Sequence, residues 1–104
     1  MSRWIDAGPV AAIAAGGWLT AEVSGFPVAI VRVGGELHAF EDRCTHDGES
    51  LAGAEIEENQ VVCPRHGAHF CLRSGAALTP PAYEPLRIFA VRETDGRILV
   101  AEEP

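Results

Sequence analysis

The sequence predicts an all-β domain of short antiparallel strands with little helix. Two observations predict it. Runs of β-branched and aromatic residues alternate with glycine-containing turns, and the 104 residues include 11 glycines and 7 prolines, a content that favours turns over long helices. A hydrophobic fraction of 47% is ordinary for a folded protein. Because this length suffices for one domain and no more, we expect a single domain over residues 1–104.

The amino-terminal half contains one weak helical stretch and three strand patterns. The alanine-rich segment Ala11–Ala15 suits at most one helical turn. Trp18–Val23 predicts a strand because it is rich in apolar residues and is bounded by glycines on both sides. Pro27–Val33 and Glu36–Glu41 predict a hairpin, since strand-forming residues flank Gly34-Gly35, a pair that suits a two-residue hairpin turn.

The carboxy-terminal half repeats this organisation. Gln60–Val62 predicts a short strand, and His69–Arg73 predicts another one after a turn. A second hairpin is predicted from Leu86–Arg92 and Arg97–Val100, because Thr94-Asp95-Gly96 between them forms a turn and the flanking residues favour a pleated surface.

Two short segments carry the candidate metal chemistry. They are Cys44-Thr45-His46 and Cys63-Pro64-Arg65-His66, with sixteen residues between them. Each falls on a loop at the end of a predicted strand and offers one thiolate and one imidazole. Zinc knuckles usually pair cysteines in one half and histidines in the other. The mixed halves suit a two-iron cluster instead, in which one iron takes both cysteines and the other takes both histidines.

This ligand pattern resembles that of the Rieske 2Fe–2S proteins, and the resemblance extends from about Gly25 to Val100. It implies a Rieske iron–sulfur fold, with an antiparallel β-sandwich-like base and a smaller cluster-binding β subdomain at about residues 43–82. It also implies one Rieske-type 2Fe–2S cluster, with the cysteines on the buried iron and the histidines on the outer iron. The ligands implied are Cys44, His46, Cys63 and His66.

The surroundings of the site differ from those of respiratory members of the resembled family. Their pattern places a disulfide between the positions of Glu49 and Arg65, so this chain lacks that brace. Hydroxyl donors in those proteins match Ala68 and Phe70, whose side chains cannot donate hydrogen bonds to sulfur. We therefore expect a reduction potential near the low end of the Rieske range, about −150 mV. Pro80-Pro81 resembles the family's proline-containing loop, which covers the cluster.

A lone Rieske domain of this size resembles the ferredoxin component of bacterial aromatic ring-hydroxylating dioxygenases. The resemblance implies a soluble electron carrier, not itself an enzyme, that takes single electrons from a flavoprotein ferredoxin reductase and passes them to a terminal oxygenase. A net charge of −7 argues against nucleic acid as a partner. The most apolar stretch, Val10–Leu19, is too short to span a bilayer. With no basic leader before it, a cytoplasmic protein without membrane attachment is expected.

Two other functions remain open on the sequence. The small Rieske-like subunit of an assimilatory nitrite reductase has a similar fold, although many such subunits lack the ligands. A zinc-stabilised binding module could use the same four residues, although C-x-H and C-x-x-H halves match zinc-finger spacing poorly. Of the remaining candidate ligands, Cys71 is predicted to be a buried bystander thiol, and His38 and His69 to be hydrogen-bonded or exposed histidines outside the ligand set.

Overall fold

The computed structural model describes residues 3–13, 17–45, 48–65, 67–80 and 82–102. Within these ranges the chain forms β-strands and one short 3₁₀ helix, at Val10–Ile13, and every strand pair is antiparallel. The predicted all-β class is confirmed. The strands are β1 Trp4–Pro9, β2 Trp18–Val23, β3 Phe26–Val33, β4 Glu36–Glu41, β5 Glu55–Glu57, β6 Gln60–Val62, β7 His69–Cys71, β8 Ile88–Phe89, β9 Val91–Thr94 and β10 Arg97–Ala101.

The strands are arranged in three sheets with two buried cores between them. The strand orders are β1-β10-β9, β2-β3-β4-β8 and β5-β6-β7. The first two sheets share the base core, which consists of Ile13, Val23, Val28, Ile30, Ala39, Phe89, Ile98 and Val100. The second and third sheets share the site core, which consists of Ala29, Val31, Phe40, Cys44, Leu51, Val61, Cys63, Ala68, Phe70, Leu72, Ala82 and Leu86.

Strand β3 lies between the two cores and contributes side chains to both. Successive side chains of a strand point to opposite faces of its sheet. Val28 and Ile30 therefore enter the base core, whereas Ala29 and Val31 enter the site core. All four residues are at most 4% exposed, as expected for a strand covered on both faces. The other face of β3 thus presents an apolar surface on which the loops after β4 and β6 can pack.

The first predicted hairpin is confirmed in both strands and turn. Val33 lies opposite Glu36, and Gly34 and Gly35 between them have φ angles of 58° and 86°. Two consecutive positive φ angles are what a turn matching the twist of a hairpin requires, and glycine adopts them without strain. The strand predicted at Trp18–Val23 is confirmed with the same bounds and pairs with β3.

The strand predicted at Leu86–Arg92 is wrong as a single element. The chain forms β8, which pairs with β4, and then β9, which pairs with β10 in a different sheet. The change of sheet occurs at Ala90, whose carbonyl accepts a hydrogen bond from the Ala101 N–H at 2.9 Å. Burying Phe89 in the base core while continuing into the outer sheet requires this bend. The rest of the second hairpin is confirmed, with Thr94 opposite Arg97.

Two other elements differ in their bounds from the sequence prediction, and two strands were not predicted. The helical turn lies at Val10–Ile13, slightly earlier than Ala11–Ala15, whose last two residues lie outside the described ranges. Strand β7 ends at Cys71 because the next three residues form a turn. Strands β1 and β5 were not predicted at all. In the described parts of the chain, no helix is long and apolar enough to cross a membrane.

Candidate metal centre

The two cysteines of the paired motifs lie on separate loops and enter the same buried core. Cys44 follows β4, Cys63 follows β6, and each is 1% exposed. The fully buried rings of Phe40 and Phe70 belong to the same site core. No disulfide joins the three cysteines of the chain, all of which the structure describes. The structure therefore gathers the two predicted thiols in one apolar environment.

His46 and His66, the predicted imidazole ligands, lie outside the described residues. Within the described ranges no group of three or more histidine, cysteine or acidic side chains could hold a metal ion. The described part of the chain thus contributes the two cysteines of the predicted set. The two histidines stay a prediction from the sequence.

Both cysteine loops have the same backbone frame. In each loop the glycine four residues after the cysteine donates its N–H to the cysteine carbonyl, and the cysteine N–H donates to the carbonyl one residue further on. The two glycines have φ angles of 79° and 72°, a conformation that favours glycine. The pairs are Gly48 to Cys44 at 2.8 Å and Cys44 to Glu49 at 2.7 Å in the first loop, and Gly67 to Cys63 at 2.9 Å and Cys63 to Ala68 at 2.8 Å in the second.

Asp42, which precedes the first cysteine loop, forms hydrogen bonds with the residues that follow that loop. The Asp42 carboxylate accepts hydrogen bonds from the Leu51 and Ala52 N–H groups, both at 2.7 Å, and from the Ser50 hydroxyl at 2.9 Å. The Asp42 N–H donates to the Pro27 carbonyl at 2.7 Å, which fixes this residue to the base. Sequence reasoning missed Asp42. The only available indication was an aspartate at the start of a loop, where its side chain commonly accepts from nearby N–H groups.

The segment after β7 closes over the same core. The Thr45 hydroxyl donates to the Glu84 carbonyl at 2.7 Å, which ties the first cysteine loop to this segment. The Thr79 hydroxyl accepts from the His69 N–H at 2.8 Å, and the Leu78 N–H donates to the His69 carbonyl at 2.8 Å. The predicted covering role of Pro80-Pro81 stays a prediction, because Pro81 lies outside the described residues.

The residues that differ from the respiratory pattern are placed as follows. Ala68 and Phe70 are fully buried in the site core, and neither side chain has a group that can donate a hydrogen bond. Glu49 and Arg65 lie close together, with Arg65 Nη1 donating to Glu49 Oε1 at 2.9 Å. An ion pair therefore joins the two loops at the positions where the respiratory pattern places a disulfide.

The two histidines predicted to lie outside the ligand set behave differently from each other. The His69 ring is hydrogen-bonded, with Nδ1 2.8 Å from Gln60 Oε1, as predicted. His38 is 7% exposed, and its Nε2 has no hydrogen-bond partner among the described residues. The His38 ring is therefore buried and hydrogen-bonded in part, through the Leu72 backbone, and it lies outside the predicted ligand set. Burial lowers the pKa of His38, while nearby Glu36 and a hydrogen bond with the Leu72 backbone oppose that shift.

His38 is therefore expected to make folding stability depend on pH. Because its pKa lies below the unfolded value of about 6.5, the unfolded chain binds this proton more readily. The contribution of His38 to the free energy of unfolding should be complete above the unfolded pKa and should be lost as the pH falls through the lower folded pKa. In His38→Leu, urea unfolding between about pH 8 and pH 5 should show a smaller loss of stability than in the wild type. Equal losses in both proteins would contradict this assignment.

Cys71 lies on β7, three residues after Ala68, where the backbone frame of the second cysteine loop ends. It is partly exposed, so the prediction of a buried thiol was wrong. Hydrogen bonds with the Ser74 side chain and backbone lower the pKa of the Cys71 thiol. Its backbone is held independently, since the Cys71 N–H donates to the Ala76 carbonyl at 2.9 Å. We predict that Cys71→Ser keeps the visible absorption spectrum of the iron-loaded protein and costs about 1 kcal/mol of stability or less. Bleaching of the spectrum would show that Cys71 is a ligand.

The residues present fit a 2Fe–2S cluster. Thiolate sulfur is the usual protein ligand of such clusters, and each of the two loops delivers one buried thiol. The same two backbone hydrogen bonds form at each cysteine, so the backbone holds the two residues in the same way. The apolar site core limits access of water to both of them.

Comparison with known sequences gives a consistent result. The sequence model of the Rieske [2Fe-2S] domain matches residues 3–90. The chain is 39% identical over 97 residues to the 3-phenylpropionate/cinnamic acid dioxygenase ferredoxin subunit of Escherichia coli strain K12, covering 92% of this chain and 91% of that subunit. The subunit of the same name from Photorhabdus laumondii is 42% identical over 74 residues, which cover 70% of each chain.

Solved structures show the same fold. A ferredoxin of carbazole 1,9a-dioxygenase from Nocardioides aromaticivorans IC177 superposes with a TM-score of 0.88 at 26% identity, covering 98% of this chain and all of that one. A chain from a complex of reduced oxygenase and oxidized ferredoxin in carbazole 1,9a-dioxygenase superposes with a TM-score of 0.85 at 31% identity, covering 96% of this chain and 94% of that one. These similarities confirm the fold predicted from the sequence.

Proposed function

The chain belongs to the Rieske [2Fe-2S] domain family, and on that basis we propose that it carries single electrons to the terminal oxygenase of an aromatic ring-hydroxylating dioxygenase. Its electron donor in this proposal is a flavoprotein ferredoxin reductase. The observation that carries the proposal is the pair of buried cysteines on loops of identical backbone frame, in a chain similar along most of its length to dioxygenase ferredoxin subunits. The role is electron transfer, and hydroxylation belongs to the oxygenase.

We propose that Cys44, His46, Cys63 and His66 hold the one 2Fe–2S cluster of the protein. When bound, the cluster supplies reversible uptake of a single electron. The chain contributes the thiolates from two loops closed by backbone hydrogen bonds, an apolar core around them, and a segment that Thr45 joins to the first loop. We assign this cluster-binding unit to about residues 43–82, which contain β5-β6-β7 and both loops.

The proposed setting of the protein is the cytoplasm. Disulfides are rare there, and the three cysteines, all within the described residues, form none. The net charge of −7 disfavours contact with nucleic acid and favours protein partners with basic surfaces.

The buried neighbours of the thiols predict a negative reduction potential. Ala68 and Phe70 offer no hydroxyl hydrogen bonds, so negative charge on nearby sulfur is not offset when the protein is reduced. Voltammetry should give a midpoint of about −150 mV, at the low end of the range for this ligand set. Phe70→Tyr, which adds one donor, should raise the midpoint. A wild-type midpoint well above zero would contradict this interpretation and leave the fold unaffected.

The proposed function is tested by replacing the ferredoxin in a related system. The oxygenase and reductase components of a 3-phenylpropionate dioxygenase are assayed for substrate hydroxylation, with this protein as the sole ferredoxin. We expect turnover that depends on its concentration and stops when Cys44→Ser protein is used instead. Iron-loaded wild-type protein that accepts electrons from the reductase but supports no hydroxylation by this or another ring-hydroxylating oxygenase would refute the proposal.

A further inference from the structure

One ion pair joins the two cysteine loops directly. Arg65 Nη1 donates to Glu49 Oε1 at 2.9 Å, across sixteen positions of sequence. Glu49 is also the residue whose carbonyl closes the first loop frame, by accepting from the Cys44 N–H at 2.7 Å. Arg65 lies within the second frame, between Cys63 and the glycine that closes the turn. The pair therefore connects one closed backbone frame to the other.

The backbone hydrogen bonds of the two frames do not fix the position of one loop relative to the other. They fix each loop internally, because both partners of every frame bond belong to the same loop. The separation of the two cysteines depends in addition on how one loop is placed against the other. The apolar site core positions the buried sides of the loops, but it does not hold Glu49 and Arg65, which are 46% and 61% exposed. Their ion pair joins the two loops on the solvent-exposed side.

We infer that the Glu49–Arg65 ion pair is a positioning element that keeps the two ligand loops at the separation needed to retain the cluster. The inference rests on the proposed ligand set. Neither side chain is assigned as a ligand. The pair acts through Cys44 and Cys63, whose frames it connects.

The size of the effect follows from the exposure of the pair. Ion pairs between exposed side chains stabilise weakly, by an amount that corresponds to a factor of about two to five in a rate or an equilibrium constant. Salt screens such pairs, since charges near the surface interact less strongly as ionic strength rises. A link of this kind should therefore slow cluster loss a few-fold at low salt and less at high salt.

The test measures how fast the visible absorbance of the cluster is lost in the presence of an iron chelator. Glu49→Gln and Arg65→Gln should each lose the cluster about two to five times faster than the wild type at low ionic strength. The double variant should be no faster than the faster single variant, because both changes remove the same interaction. Arg65→Lys, which keeps the charge, should restore most of the retention. Added salt should accelerate loss in the wild type more than in the neutral variants.

A matched control comes from a similar ion pair elsewhere. Arg97 Nε lies 3.0 Å from Asp6 Oδ2 between β10 and β1, and both side chains are 49% exposed. Arg97→Gln should leave the rate of cluster loss unchanged, which separates an effect on the loops from a general loss of stability.

Three results would overturn the inference in distinguishable ways. Wild-type protein that holds no 2Fe–2S cluster would refute the proposed ligand set and the inference with it. Wild-type protein that holds the cluster, with single variants that lose it no faster, would refute the inference alone. Independent effects of Glu49→Gln and Arg65→Gln, which multiply in the double variant, would show that the pair is not the acting unit.

Discussion

Replacing Cys44 or Cys63 with serine is expected to reduce bound iron and acid-labile sulfide to less than about a tenth of the wild-type amount. The serine hydroxyl stays protonated near neutral pH and cannot replace a thiolate. Each cysteine is 1% exposed in an apolar core, so water cannot easily substitute for the lost sulfur. His46→Ala and His66→Ala should also lose the cluster or its Rieske spectrum, since a methyl group cannot coordinate iron. The measurement is iron and sulfide per protein chain after anaerobic purification.

The matched control for this prediction is Cys71→Ser. It makes the same chemical change at a cysteine that the ligand set does not use, and it should keep both iron and sulfide. Full iron and sulfide content in Cys44→Ser or Cys63→Ser would contradict the ligand assignment. Loss in all three cysteine variants alike would point to unfolding, which circular dichroism of the same samples would reveal.

Gly75→Ala is expected to lower the free energy of unfolding by about 3 kcal/mol. Gly75 has a φ of 80°, and a Cβ added there would overlap the Leu86 carbonyl oxygen and lie 2.9 Å from Ile88 Cγ1. The two backbones cannot separate without cost, because the Leu86 N–H donates to the Gly75 carbonyl at 2.7 Å. Urea unfolding followed by circular dichroism measures the change.

Gly96→Ala is the matched control for Gly75→Ala. Gly96 has nearly the same φ, 78°, but an added Cβ would meet nothing within 4 Å. This variant bears the cost of the backbone conformation alone, about 1 kcal/mol. Equal destabilisation in the two variants would show that contact with Leu86 does not explain why position 75 needs glycine.

Features governed by neighbouring residues could be predicted from the sequence. The hairpin at Gly34-Gly35 follows from local turn chemistry, and the structure gives both glycines the positive φ that this turn needs. The pairing of a cysteine with a histidine in each of two loops indicated the site before any coordinates. These residue types predict the ligands, because protein ligands of such clusters bind through sulfur or nitrogen, and the two histidines stay a prediction outside the described residues.

Features that depend on distant residues could not be predicted. Strand β1 pairs with β10 at the opposite end of the sequence and contains a bulge between Asp6 and Gly8, so its own alternation of side chains is weak. The break at Ala90 reflects the placing of Phe89 in a core shared by two sheets. The contact between Glu49 and Arg65 depends on how two loops pack, which residue type and spacing do not encode.

Strand β5 is a different case, because the sequence did contain an indication of it. Glu55-Ile56-Glu57 alternates between exposed and partly buried residues and is followed by a turn, in which Glu58 has a φ of 56°. Three residues are too few for alternation to distinguish a strand from a loop. Pairing with β6 decides the outcome here.

The central claim is that this chain holds a 2Fe–2S cluster with mixed cysteine and histidine ligation. The most direct test is electron paramagnetic resonance of the reduced, anaerobically purified protein, together with its metal and sulfide content. We predict about two irons and two sulfides per chain and the low average g value typical of clusters with nitrogen and sulfur ligands. Stoichiometric zinc without iron, or a signal typical of a cluster with four cysteine ligands, would contradict the claim.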